Sequence, residues 1–108
     1  MSIENEGFVL AAKLSELTDR SKICVEIDDR FVVLVRLGND VFCLDDVCTH
    51  DGGTLGDGEL IDNCLVCPRH GAHFDVRTGD AVTMPATEPT IAHEVRVTGD
   101  EIYVRLKG

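Results

Sequence analysis

The stretch CTHDGGTLGDGELIDNCLVCPRHGAHFD, residues 48–75, decides how this chain is read. It opens on Cys48-Thr49-His50 and later carries Cys67-Pro68-Arg69-His70, so each peptide pairs one thiolate with one imidazole. Sixteen residues separate His50 from Cys67. C-x-H followed by C-x-x-H is metal-ligand spacing. Zinc accepts two Cys and two His in tetrahedral geometry. Zinc fingers, however, usually place both Cys on one peptide and both His on the other. One of each on each peptide suits a two-iron cluster with both thiolates on one iron and both imidazoles on the other. That centre would serve electron transfer rather than substrate chemistry. On spacing alone the two-iron centre leads and zinc stays open.

The ligand peptides lie in a middle segment, about residues 45–89, that is rich in Gly, Asp and Pro. Within it, Glu59–Ile61 and Cys64–Val66 flank the turn Asp62-Asn63, which predicts one tight hairpin. His73–Val76, Arg77-Thr78-Gly79-Asp80 and Ala81–Thr83 predict another. Gly52, Gly53 and Gly71 follow the ligand peptides. Glycine there permits close backbone approach and positive φ, and leaves N–H groups free to face an anionic centre. Outside this segment the pattern is of longer strands. Ile23, Val25 and Ile27 alternate with Cys24, Glu26 and Asp28, as in a half-buried strand. Asp28-Asp29-Arg30 predicts a turn, Phe31–Leu37 an apolar strand, Gly38-Asn39-Asp40 a second turn and Val41–Leu44 a short strand. Val95 and Val97, the turn Gly99-Asp100, and Ile102, Val104 and Leu106 predict a closing hairpin. One helical turn is expected at Leu14–Leu17, capped by Ser15. The whole reads as an all-β chain of one domain, residues 1–108, with a small hairpin subdomain inserted at about 45–89.

The chain is acidic, with 20 Asp and Glu against 10 Lys and Arg. Nucleic acid and anionic membranes are therefore poor partners, and a basic face on a partner protein is a plausible one. No apolar run has the length of a membrane span. The acidic start, Met1–Gly7, has no basic or apolar signal region. Five Cys in such a chain point to a reducing compartment, where paired Cys are ligands rather than disulfides. The cytoplasm is the expected location.

C-T-H-D-G-G and C-P-R-H-G-A-H-F-D together resemble a Rieske-type [2Fe-2S] ferredoxin. Weaker similarity extends over Val76-Arg77-Thr78-Gly79-Asp80, Met84-Pro85-Ala86 and the closing hairpin. The resemblance implies a Rieske-type antiparallel β-sandwich framework with the cluster-binding hairpins inserted. It implies one [2Fe-2S] cluster held by Cys48, Cys67, His50 and His70, the imidazoles on the outer iron, with Pro85 on a covering loop. It also implies no catalysis by the chain itself: it would be a one-electron carrier from a flavin-dependent reductase to a terminal oxygenase, and docking of a carrier at both partners is simplest for a monomer. Two relatives on the same pattern imply other roles: an electron donor or sensor tied to iron–sulfur cluster assembly, and a small subunit like that of assimilatory nitrite reductase.

The departures from the family refine that expectation. Respiratory Rieske proteins carry a further Cys in each ligand loop, and these two form a disulfide; the matching positions here are Gly53 and Arg69. They also place Ser and Tyr hydroxyls near the cluster, where this chain has Ala72 and Phe74. Hydrogen bonds to sulfur stabilise the reduced cluster, so their absence implies a potential at the low end of the Rieske range, on the order of −150 mV. Among the remaining candidates, Cys24, Cys43 and Cys64 are expected as small core residues. Cys64 and Cys67 form a C-x-x-C pair, but Pro68 and Gly71 argue for a loop rather than a redox helix. His73 is expected to face solvent rather than support a ligand, and His93 to sit at the rim of the core. Asp45, Asp46 and Asp51 either form an acidic docking face or solvate a turn.

Overall fold

The computed structural model describes residues 7–47, 54–68, 71–82 and 88–107. Its framework strands are β1 (Val9–Lys13), β2 (Ser21–Ile27), β3 (Arg30–Leu37), β4 (Asp40–Asp45), β8 (Ala92–Thr98) and β9 (Glu101–Arg105). Three short strands, β5 (Leu60–Ile61), β6 (Cys64–Val66) and β7 (His73–Asp75), lie between β4 and β8 in sequence. The framework strands form one antiparallel sheet in the order β1-β9-β8-β4-β3-β2, and β5-β6-β7 form a second. This is the expected all-β arrangement, with the small sheet inserted into the larger one.

The turns follow from their residues. Asp28 and Asp29 both take positive φ, 50° and 65°. Two successive left-handed residues give the twist that a two-residue hairpin needs, and Asp tolerates that conformation. The β3 run then departs from alternation. Val32, Val33, Leu34 and Val35 are all fully buried, because β3 is covered on both faces. Val33 and Val35 enter one apolar cluster, and Val32 and Leu34 enter another. Strands dry on both sides read as continuous apolar runs.

The second of these clusters lies within the framework, joining Val32, Leu34, Val41 and Cys43 to Ala12, Leu17, Ile102 and Val104. The first joins framework to small sheet: Val33, Val35 and Leu44 meet Leu55, Leu65, Cys67, Ala72, Phe74 and Val76. Each large apolar side chain sealed there contributes about 1.5–3 kcal/mol, so the small sheet is fixed to the framework by burial.

Several sequence expectations need correction. β1 was not anticipated, since Val-Leu-Ala-Ala-Lys has little β-branching; its pairing with β9 supplies the missing preference. The helical turn is a short 3₁₀ segment, Leu14–Glu16, and Ser15 lies inside it rather than capping it. The Lys13 N–H donates to Glu16 Oε1 at 2.8 Å, while the Ser15 N–H and hydroxyl both donate to Asp100. β9 ends before Leu106. The hairpin after β7 is reduced to a single bridge between Phe74 and Ala81; Thr83 lies outside the described residues.

Candidate metal centre

Of the four predicted ligands, Cys67 is described; Cys48, His50 and His70 lie outside the described residues, as do Asp51, Gly53, Arg69 and Pro85. Among the described residues, no three His, Cys, Asp or Glu side chains gather as a metal site. What the structure defines is the stems that carry the ligand peptides.

The first stem is the end of β4 and the return at Leu55. Leu44 is fully buried, and Asp46 beside it is nearly so. One Asp46 oxygen, Oδ1, accepts the Leu55 N–H at 2.8 Å and also the Gly56 N–H. A single carboxylate thus ties the two ends of the segment that contains Cys48 and His50 in sequence. Gly58 follows, where an added Cβ would overlap the Val66 carbonyl. The return from the first peptide therefore lies directly on β6, the strand that delivers the second.

The second stem is the end of β6. Cys67 is 1% exposed. Its N–H donates to the Ala72 carbonyl at 2.7 Å, and its carbonyl accepts the Gly71 N–H at 2.9 Å. These bonds close the segment 67–72. Gly71 has φ +76° with nothing near its Cβ position, so glycine is needed there for backbone conformation and not for space. Ala72 and Phe74 are fully buried and bring no hydroxyl. Leu44 and Leu55 from the first stem share one apolar cluster with Leu65, Cys67, Ala72 and Phe74 from the second. Both predicted ligand peptides therefore spring from one dry base. Cys67 buried in that base, with a thiolate and an imidazole on each peptide, is a donor set that fits a thiolate- and imidazole-held iron–sulfur cluster.

Asp45 and Asp46, next to the first peptide, are both tied into the fold by hydrogen bonds. Asp45 accepts from Arg30 at 2.9 and 3.1 Å and from His93 Nε2 at 2.6 Å. His93 is no rim residue: its side chain is fully buried. Its Nδ1 accepts the Lys107 N–H at 2.9 Å, so Nε2 carries the hydrogen and donates to Asp45. Arg30 also donates to the Lys107 carbonyl at 2.8 Å. The sheet register produces this circuit. Val32 faces Asp45, and Cys43 faces His93; Arg30 and His93 therefore flank Asp45 diagonally on one face.

The three cysteines outside the predicted ligand set behave differently. Cys43 is buried as expected, and burial, reinforced by Asp45, pushes its thiol up to about 12. Cys24 is exposed, and Cys64 is half-buried on a short strand, which corrects the core expectation for both. Burial first, then Asp46, raises the Cys24 thiol; burial, then Asp75, raises that of Cys64. His73 is half-buried on β7, opposite Val66.

Comparison with known proteins agrees with this geometry. The Rieske [2Fe-2S] domain model matches residues 7–103. The 3-phenylpropionate/cinnamic acid dioxygenase ferredoxin subunit of Escherichia coli (strain K12) is 34% identical over 76 residues, covering 69% of this chain and 72% of that protein. The ferredoxin of carbazole 1,9a-dioxygenase from Nocardioides aromaticivorans IC177 superposes with a TM-score of 0.89 at 32% identity, over 93% of this chain and 98% of that one. A chain from the complex of reduced oxygenase and oxidized ferredoxin in carbazole 1,9a-dioxygenase gives 0.86 at 28% identity, over 94% of each chain.

Proposed function

Because this chain belongs to the Rieske [2Fe-2S] domain family, we propose that it is a one-electron carrier that takes electrons from a flavin-dependent reductase and delivers them to a terminal oxygenase. The observation that carries this reading is the shared dry base beneath both ligand peptides. The names of its relatives support the oxygenase side: a dioxygenase ferredoxin subunit, and a ferredoxin solved in complex with its oxygenase. When bound, the cluster supplies a site that gains and loses one electron.

The chain's own residues hold and tune that site. Cys48 and Cys67 are the thiolate ligands, and His50 and His70 the neutral imidazole ligands. Ala72 and Phe74 exclude water without donating hydrogen bonds, which favours a low potential. Residues 45–89 form the cluster-binding part of a single domain. The chain acts as a monomer in the cytoplasm; no helix among its described residues is long and apolar enough to cross a membrane.

Iron and acid-labile sulfide analysis tests the ligand set. Wild-type protein should hold two of each per chain, and His50→Ala, Cys48→Ala, Cys67→Ala and His70→Ala should each lose the cluster. Carriage is tested by mixing oxidised protein with NADH and a dioxygenase-system flavin reductase. The visible bands should bleach, and recover when a terminal oxygenase, its substrate and oxygen are added. A reduced protein that the oxygenase leaves bleached would contradict the role.

A further inference from the structure

We propose that Arg30 and Asp45 form a charge pair that sets the reduction potential of the cluster from the base of the first ligand loop; the inference rests on the cluster reading above. Asp45 closes β4, three residues before Cys48. Three residues of extended chain span at most about 10 Å, so the carboxylate is tethered close to that ligand. Its side chain is only 18% exposed, and a charge so placed is weakly screened by salt.

The geometry holds the charge in place. Arg30 grips the carboxylate with one nitrogen, at 2.9 and 3.1 Å, and His93 approaches from the other side at 2.6 Å. The imidazole contributes a hydrogen bond and no net charge, since its Nδ1 is committed to the Lys107 N–H. Cys43 lies opposite His93 on the same face, and its raised thiol carries no charge at neutral pH. Among the described side chains in the bonds given above, the fixed charges are one negative, on Asp45, and one positive, on Arg30. Leu44, adjacent to Asp45, enters the same apolar cluster as Cys67, so the pair is mechanically joined to both ligand stems.

The consequence has a sign. Reduction adds one electron, and so one negative charge, to the cluster. An unpaired Asp45 carboxylate opposes that addition, and the Arg30 guanidinium offsets it. Asp45→Asn should raise the potential and Arg30→Gln should lower it. Each should move the reduction equilibrium several-fold, where tenfold corresponds to 59 mV for one electron. His93→Gln removes no charge and should move it least. Arg30→Lys should restore the wild-type value.

Spectroelectrochemical titration of the purified, cluster-loaded variants reads these shifts, and thermal unfolding of the same samples reads structural damage separately. Opposite shifts for Asp45→Asn and Arg30→Gln support the proposal. Shifts of the same sign, or none, overturn it, since loosening of the loop would not distinguish the sign of the lost charge. Should Asp45→Asn fail to hold a cluster, Arg30→Gln against Arg30→Lys decides, and equal potentials for those two overturn the pair. Loss of the cluster reading itself would appear differently, as wild-type protein without iron and sulfide.

Discussion

At the scale of single residues, the described site depends on groups whose chemistry looks ordinary in the sequence. Asp46 stands two places before Cys48 among other acidic residues and invites a reading as surface charge. In the fold it is buried and accepts two backbone N–H groups from the return of the same loop. Replacing it with Ala leaves those donors unpaired, which costs about 1–3 kcal/mol. Asp46→Ala should therefore unfold at a lower urea concentration and lose its visible colour sooner than wild type; an unchanged midpoint would show that water replaces the carboxylate at no cost. Asp45 teaches the same lesson. Its charge was visible in the sequence, and its partners were not. Arg30 could be inferred by counting out from the turn at Gly38-Asn39, because that turn fixes Val32 opposite Asp45. His93 could not, because its placement depends on a strand pairing across fifty residues.

At the scale of elements, the hairpins with strong turn residues were legible and the long-range pairings were not. Asp28-Asp29 and Asp62-Asn63 mark turns by chemistry, and strands follow on both sides. β1 has no such mark and exists because β9 offers it an edge. β4 shows how an element inherits a role from its neighbours. Its alternate residues face two different clusters, so Cys43 is sealed on one side and Leu44 on the other. Burial raises the Cys43 thiol from 9.0 to about 12. A group that stays neutral in the fold beyond its unfolded value contributes stability below pH 9. That contribution is lost as pH rises from 9 toward 12. Wild-type stability should thus fall over this window more steeply than that of Cys43→Val, when urea midpoints are compared at pH 8 and pH 10.5. Parallel declines would mean that Cys43 does not report the buried face of β4.

At the scale of the molecule, the arrangement is a six-stranded framework and a small three-stranded sheet, with one apolar cluster fastening the two. The sequence carried the family and its cofactor plainly, because ligand chemistry demands particular residues at particular spacings. It did not carry the stems, because any apolar side chains of suitable volume can build a dry base. The central claim is that this base holds a Rieske cluster of the low-potential kind, disulfide-free and without hydroxyl donors at Ala72 and Phe74. The midpoint potential of the purified wild-type protein tests it most directly. The account predicts a one-electron couple at the negative end of the Rieske range, on the order of −150 mV. A couple near the positive end, on the order of +300 mV, or a colourless protein holding zinc, would contradict it.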